Sequence, residues 1–321
     1  MDLSAYADLL SLQSGVVARR QLVTDARLKP HDLQRLVRRR DLVRVHDGVF
    51  VDHTGDLTWL QRAWVGVLLA WPAALSHDSA LRAADGPGRA GRDDSVIHLA
   101  VDRDHHVRVP AGYRLHRMSG FADRAMWNTS PPRVSIEEAL IDVAVAKADD
   151  FGAVAVLADA VQARRTLPVR IRDTLDLRPR VPRRDFLRAV LSDLDRGTCS
   201  VLEHGYLTRV ERAHGLPDGL RQVRDSQRGP LYRDVVYPDL DQAVELDGRL
   251  WHSSAAQHDA DLDRDLDAAV DRLTTVRLGW GQVFGRPCET AVRLGRLFAA
   301  RGWWGRPTRC PDCPGSLDLA G

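Results

Sequence analysis

Two apolar runs, Leu231 to Tyr237 and Gln242 to Leu246, flank the turn-rich tetrapeptide Pro238-Asp239-Leu240-Asp241. That pattern predicts a β-hairpin. With Asp239 and Leu240 at the tip, Asp234 stands directly opposite Glu245. Side chains alternate between the faces of a strand, so Asp247 shares the face of Glu245 while Val244 and Leu246 turn into a core. Three carboxylates are therefore expected on one patch. Like charges facing each other across a sheet are destabilising, by roughly 4 kcal/mol for a pair about 4 Å apart at an effective dielectric of about 20. A divalent cation offsets this naturally, because hard oxygen donors suit Mg²⁺ or Mn²⁺. The alternative is a solvated hairpin whose acids face water, and Val235, Val236, Ala243 and Val244 argue against it.

The N-terminal stretch has a different period. An apolar helical segment from Tyr6 to Leu12 precedes Ser14-Gly15, a helix is expected from about Ala18 to Ala26, and Lys29-Pro30 leads into a second helix from Asp32 to Arg40. Leu33, Leu36 and Val37 recur in it at helical spacing. Leu42 to Val45 and Val49 to Val51, joined through His46-Asp47-Gly48, predict a two-stranded wing. This order is that of a winged helix, which puts its second helix in the major groove of DNA. Arg35, Arg38 and Arg39 on that helix, with Arg40 and Arg44 behind them, are the candidate DNA-binding residues.

Between these ends, helices are expected over Trp59 to Ala70, Ser135 to Val145 and Phe151 to Ala163, with strands over Val96 to Val101 and Tyr113 to His116. Ser76 is the expected N-cap of a further helix, and Ser135-Ile136-Glu137-Glu138 has the form of a capping box. His77, His105, His106 and His116 match no ligand spacing. This α+β region is read as a scaffold between two functional ends.

The 321 residues exceed one ordinary core, and 28% charged with 44% hydrophobic residues is a globular composition. A net charge of +2 leaves nucleic-acid binding to local patches. No apolar run is long enough to span a membrane, and the start Met1-Asp2-Leu3 lacks a basic segment and apolar signal core, so a cytoplasmic protein is expected. Cys199, Cys288, Cys310 and Cys313 are too few and too scattered for a disulfide framework. Cys310-Pro311-Asp312-Cys313 has the spacing of half a zinc knuckle, but no second pair or nearby histidine completes it in the sequence. The tail is accordingly expected to be poorly ordered, with metal binding between protomers as the lesser reading.

Six motifs lie in order between Ser200 and Arg301: Ser200-Val201-Leu202-Glu203, His214-Gly215-Leu216-Pro217, Tyr232-Arg233-Asp234, Glu245-Leu246-Asp247-Gly248 with His252, Asp263-Arg264, and Val276-Arg277 with Trp280. This stretch resembles the very-short-patch-repair-type domain of the PD-(D/E)XK nuclease superfamily. The resemblance implies a four-stranded sheet flanked by helices, with Asp234 and Glu245 as metal ligands and Glu203 reaching in from the first helix. Where the superfamily usually carries lysine two residues after the acid, this chain has Asp247. The missing positive charge is then sought in Arg277, or His252 serves as the base; alternatively Arg277 only pairs with Asp247. The N-terminal stretch resembles the winged helix of type IV abortive-infection antitoxins, through Gly15 to Leu22 and Arg44 to Phe50.

The expected organisation is thus α/β and multi-domain. A winged helix occupies residues 1–54, an α+β middle region 55–195, a restriction-endonuclease-like domain 196–302 and a tail 303–321. The expected function is Mg²⁺- or Mn²⁺-dependent hydrolysis of DNA phosphodiester bonds by Asp234, Glu245, Asp247, His252 and Arg277. The rival is a transcriptional regulator or antitoxin, partnered by a toxin or another protein, whose nuclease-like domain is not catalytic.

Overall fold

Tyr6, Leu9 and Leu10 recur on one helical face, and this face of α1 (Leu3–Leu12) packs on a core of Val17, Leu22, Leu28, Leu36, Leu42 and Phe50. In this computed structural model the described residues are 3–86, 95–196, 200–225, 231–247 and 274–315. They form two compact units, residues 1–143 and 144–321. The expected middle region 55–195 is divided between them. Both units mix helix and sheet.

In the first unit, α1 is followed by β1 (Val16–Ala18), α2 (Arg19–Thr24), α3 (Pro30–Arg39), β2 (Val43–His46) and β3 (Val49–Val51). The strands form an antiparallel sheet in the order β1-β3-β2, with Val17 paired to Phe50. Strand β1 goes beyond the sequence expectation. It is three fully buried residues, too short for alternation to show, and it moves the helix start from Ala18 to Arg19. Helix α3 begins at Pro30, with Asp32 accepting from the Lys29 backbone N–H, and ends where Arg40 adopts a left-handed conformation. Val37 is 37% exposed. Leu33 and Leu36 supply the inward stripe, and Val37 lies at its exposed edge.

Helix α4 (Trp59–Leu69), β4 (Ala73–Leu75), α5 (His77–Asp85), β5 (Ile97–Asp102), β6 (Tyr113–Met118), α6 (Phe121–Arg124), β7 (Ala125–Met126) and β8 (Arg133–Val134) follow. They build a five-stranded sheet in the order β6-β5-β4-β8-β7. The expected helices and strands are present here, including α7 (Ile136–Ala146), where Ser135 Oγ accepts from the Glu138 N–H at 3.2 Å. Ser76 is the N-cap of α5 by position, without a side-chain capping hydrogen bond.

The second unit contains α8 (Asp150–Gln162), α9 (Pro168–Leu177), α10 (Arg184–Arg196) and α11 (Ser200–Gly205). Helix α11 runs on into a π-helical turn (Tyr206–Glu211) and a 3₁₀ turn (Arg212–His214). A four-stranded sheet has the order β12-β11-β10-β9, made of β9 (Leu220–Asp225), β10 (Leu231–Tyr237), β11 (Gln242–Asp247) and β12 (Thr274–Gly279). Only the β11–β12 pair of this sheet is parallel. The hairpin register is the expected one, with Val235 opposite Val244 and Tyr237 opposite Gln242. Val235, Ala243 and Val244 are fully buried, which argues against a solvent-exposed hairpin. Helix α12 (Pro287–Ala299) closes the unit.

The tail also departs from expectation. The Thr308 N–H donates to the His214 carbonyl at 2.8 Å, and Pro307 lies against Gly295 of α12. Cys310 and Cys313 of the tail meet His214 and Cys288, which are remote from them in sequence.

Candidate functional site

Strand β10 brings Asp234 to the hairpin, and the antiparallel register of its neighbours places Asp234 opposite Glu245. The ladder is interrupted around it. On the β9 side, the register runs from Arg233 opposite Val223 to Val235 opposite Arg221 and skips the position of Asp234 and Gln222. Gln222 has a φ of +50°, a left-handed conformation that breaks the strand locally. On the β11 side, the Leu246 N–H donates to Asp234 Oδ2 at 2.7 Å. Asp234 thus turns its carboxylate across the hairpin rather than away from it.

Glu203 on α11 reaches the same place. Gln222 Nε2 donates to Glu203 Oε1 at 3.2 Å. Burial raises the Glu203 carboxyl above its ordinary range, and the negative charge of Asp234 raises it further, against the Gln222 hydrogen bond. Asp234 on β10 thus acts by its charge on Glu203 of α11 and stands across the hairpin from Glu245 of β11. Glu245 is half-buried, with Arg233 Nη1 3.9 Å from its Oε1. Arg233 itself is buried, a cation in the patch that the sequence alone does not single out. Its place in the Tyr232-Arg233-Asp234 motif is the available signal.

Asp247 is half-buried two residues along the same strand, on the face of Glu245. Arg277 is exposed on β12 and in direct register with Glu245, as Gly279 is with Asp247. The expected neighbouring-strand position of Arg277 is therefore observed. His252, like Asp263 and Arg264, lies outside the described residues.

A second polar cluster, missed in the sequence, joins the Tyr206–Glu211 turn to β9 and β10. Glu211 is 1% exposed, accepts from the Tyr237 hydroxyl and pairs with Arg221, while Tyr206 Oη lies 2.7 Å from Tyr237 Oη. Burial pushes the Glu211 carboxyl up, against the Tyr237 hydrogen bond and the Arg221 charge. These partners are side chains of the same interior, so the cluster fixes the helix against β9 and β10. Tyr and Glu at hydrophobic positions are its only trace in the sequence.

In the first unit, His77, His98 and His116 bring ring nitrogens within 4.8 Å of one another, although the histidines of this region match no ligand spacing. The reason is topological: His98 and His116 sit on the adjacent strands β5 and β6, and His77 begins α5. His98 Nδ1 and His116 Nε2 are 2.9 Å apart, and His77 stacks on His116 with centroids 3.7 Å apart. Burial, then the neighbouring imidazoles, lowers His116 to about 3. His105 instead contacts the Ala70 carbonyl at 3.1 Å.

The basic candidates Arg35, Arg38, Arg39, Arg40 and Arg44 are all exposed. Arg35 lies 3.3 Å from Asp32 and Arg39 3.4 Å from Asp41, and Arg44 pairs with Asp47. Among the described residues, Arg38 and Arg40 have no such acidic neighbour. Arg38 and Arg44, with Arg19, line an open groove between α3 and the wing, floored by Leu33 and Phe50.

No family model matches the chain, and no curated protein matches it. Among solved structures it is similar to the crystal structure of the RV2827C protein from Mycobacterium tuberculosis, at 19% identity and a TM-score of 0.38, over 60% of this chain and 78% of that one. At that score the likeness fixes neither fold nor function.

Proposed function

We propose that the protein binds DNA through α3 and its wing and hydrolyses DNA phosphodiester bonds at the carboxylate patch of the second unit. The observation that carries the reading is Asp234, which stands across the hairpin from Glu245 and whose charge, after burial, raises the Glu203 carboxyl. Neighbouring carboxylates with a raised carboxyl among them form a candidate cation site. The all-oxygen donor set fits Mg²⁺ or Mn²⁺. Asp234 and Glu245 would hold the ion with help from Glu203, and when bound it would polarise the phosphate and make a water acidic enough to attack phosphorus in line. Asp247 extends the carboxylate row, and Arg277, one strand over, is placed to take a phosphate oxygen. The mixed four-stranded sheet and the order α1-β1-α2-α3-β2-β3 support the restriction-endonuclease-like and winged-helix readings respectively.

The rival, a regulator or antitoxin with a non-catalytic nuclease-like domain, draws on Asp247 standing where lysine is usual and on the hydrogen bond already occupying Asp234. Nicking of supercoiled plasmid with Mg²⁺ or Mn²⁺ separates the two. Metal-dependent nicking that disappears in Asp234→Asn and Glu245→Gln is expected. Equal nicking by the folded variants refutes the assignment, and tight DNA binding without cleavage by the wild type transfers the chain to the rival reading.

A further inference from the structure

We propose that His214, Cys288, Cys310 and Cys313 form a structural zinc site that fastens the C-terminal tail to the second unit. The four donor atoms all lie within 4.8 Å of one another. A tetrahedral zinc with bonds of about 2.3 Å to sulfur and about 2.0–2.1 Å to nitrogen requires S···S edges of about 3.8 Å and S···N edges of about 3.6 Å. Cys288 Sγ is 3.6 Å from Cys310 Sγ, Cys310 Sγ is 3.6 Å from Cys313 Sγ, and Cys313 Sγ is 3.5 Å from His214 Nε2. Three edges of the tetrahedron are thus in place.

The surroundings are those of a ligand set. His214 is fully buried, and its Nδ1 is 3.1 Å from the Val210 carbonyl. Nδ1 therefore carries the proton and donates it, which leaves the Nε2 lone pair directed at the cysteines. That outer hydrogen bond is the usual means of fixing a zinc-binding imidazole. The Cys310 N–H points at Cys313 Sγ at 3.3 Å, a donor suited to a thiolate within a Cys-x-x-Cys turn. Gly215, with φ +61°, turns the chain immediately after His214, and an added Cβ there would lie 3.1 Å from Thr308 Oγ1 of the tail.

A disulfide accounts for less of the cluster. It requires sulfurs about 2.05 Å apart; moreover, any pairing would strand one of the three thiols and leave the aimed imidazole without purpose. Thiolate and imidazole donors exclude Mg²⁺, which takes oxygen, so the site is chemically separate from the carboxylate patch. Four protein ligands leave no open position, which makes the role structural rather than catalytic. The ion would tie together the 3₁₀ turn after the Glu203 helix, the first turn of α12 and the tail. That role is independent of nuclease activity.

Elemental analysis of the full-length protein, purified without chelator and with any affinity tag removed, is expected to give one zinc per chain. A mercurial that blocks thiols should release it. Replacement by Co²⁺ should give the intense visible bands of a tetrahedral site together with a thiolate-to-cobalt charge-transfer band. Cys310→Ser/Cys313→Ser should lose the zinc and melt at lower temperature, and His214→Asn should lose the zinc or shift the cobalt bands. Should these variants fail to fold, the wild-type zinc content and cobalt spectrum decide alone. A zinc-free wild type that takes up no Co²⁺ overturns the proposal, as does a Cys310–Cys313 disulfide found by mass spectrometry or zinc retained in the double cysteine variant.

Discussion

Glu203 feels the carboxylate patch through two causes that act in one direction, loss of water and the neighbouring charge of Asp234. Its folded carboxyl therefore binds a proton more readily than the unfolded one. The stability it contributes is present in acid, below the ordinary glutamate value of 4.5, and is lost as pH rises through the raised folded value. At neutral pH, without metal, the charged group is a liability. Glu203→Gln is expected to raise the melting temperature of the metal-free protein at pH 7 and to shrink the further rise produced by Mg²⁺. A variant that melts lower and responds fully to Mg²⁺ would separate Glu203 from the site. Arg277 poses a different residue-scale question, since its register with Glu245 suits either a phosphate or a neighbouring acid. As a preorganised donor to the transition state, Arg277→Ala should cost about 10²-fold in turnover with little change in melting. As a mere partner of Asp247, it should lose stability that Asp247→Ala restores in a double-mutant cycle.

Elements are legible where their period is long or their turn chemistry strong. The hairpin register follows from alternation and the Pro238-Asp239 turn, and Val235 opposite Val244 is the same pairing the pattern requires. Helices α4, α7 and α8 carry enough apolar length to be read directly. Strands β1 and β4 do not, because three buried residues such as Ala73-Ala74-Leu75 show no alternation. Helices α9 and α10 hide behind an arginine-rich face, and their inward residues, Ile171, Leu175, Leu187, Val190 and Leu191, are visible only once that face is discounted. The cluster of His214 with the three cysteines joins positions as far as 99 residues apart, a span no local spacing rule covers. For α3 the structure refines the expectation by pairing Arg35 with Asp32 and Arg39 with Asp41, pairs that are exposed and weak. Replacing Arg35, Arg38 and Arg39 with Ala should weaken DNA binding and flatten its salt dependence by about 0.9 in slope for each phosphate no longer neutralised. Arg38→Ala alone should account for one whole phosphate, since it forfeits no acidic neighbour. An unchanged slope, measured at two or more salt concentrations, would leave α3 a solvated basic face.

At the scale of the whole chain, a net charge of +2 with only two lysines hides opposed local environments, and the pH response of the two units exposes them. His116 in the first unit is held down to about 3 by burial first, then by His77 and His98, with Asp142 opposing and Arg114 adding to the effect. A histidine with a depressed folded value contributes stability that is present above the unfolded value of 6.5 and is lost as pH falls through the folded value. Acid therefore acts against His116 in the first unit while it relieves Glu203 in the second. Melting curves of the full-length chain between pH 7.5 and about 4 should show this as two opposite changes of slope. His116→Gln removes the group that resists protonation, so its curve should fall less steeply than wild type below pH 6.5. Glu203→Gln removes the group relieved by acid, so its curve should fall more steeply near pH 4.5. Curves parallel to wild type in both variants would show that neither environment governs the acid stability of the protein.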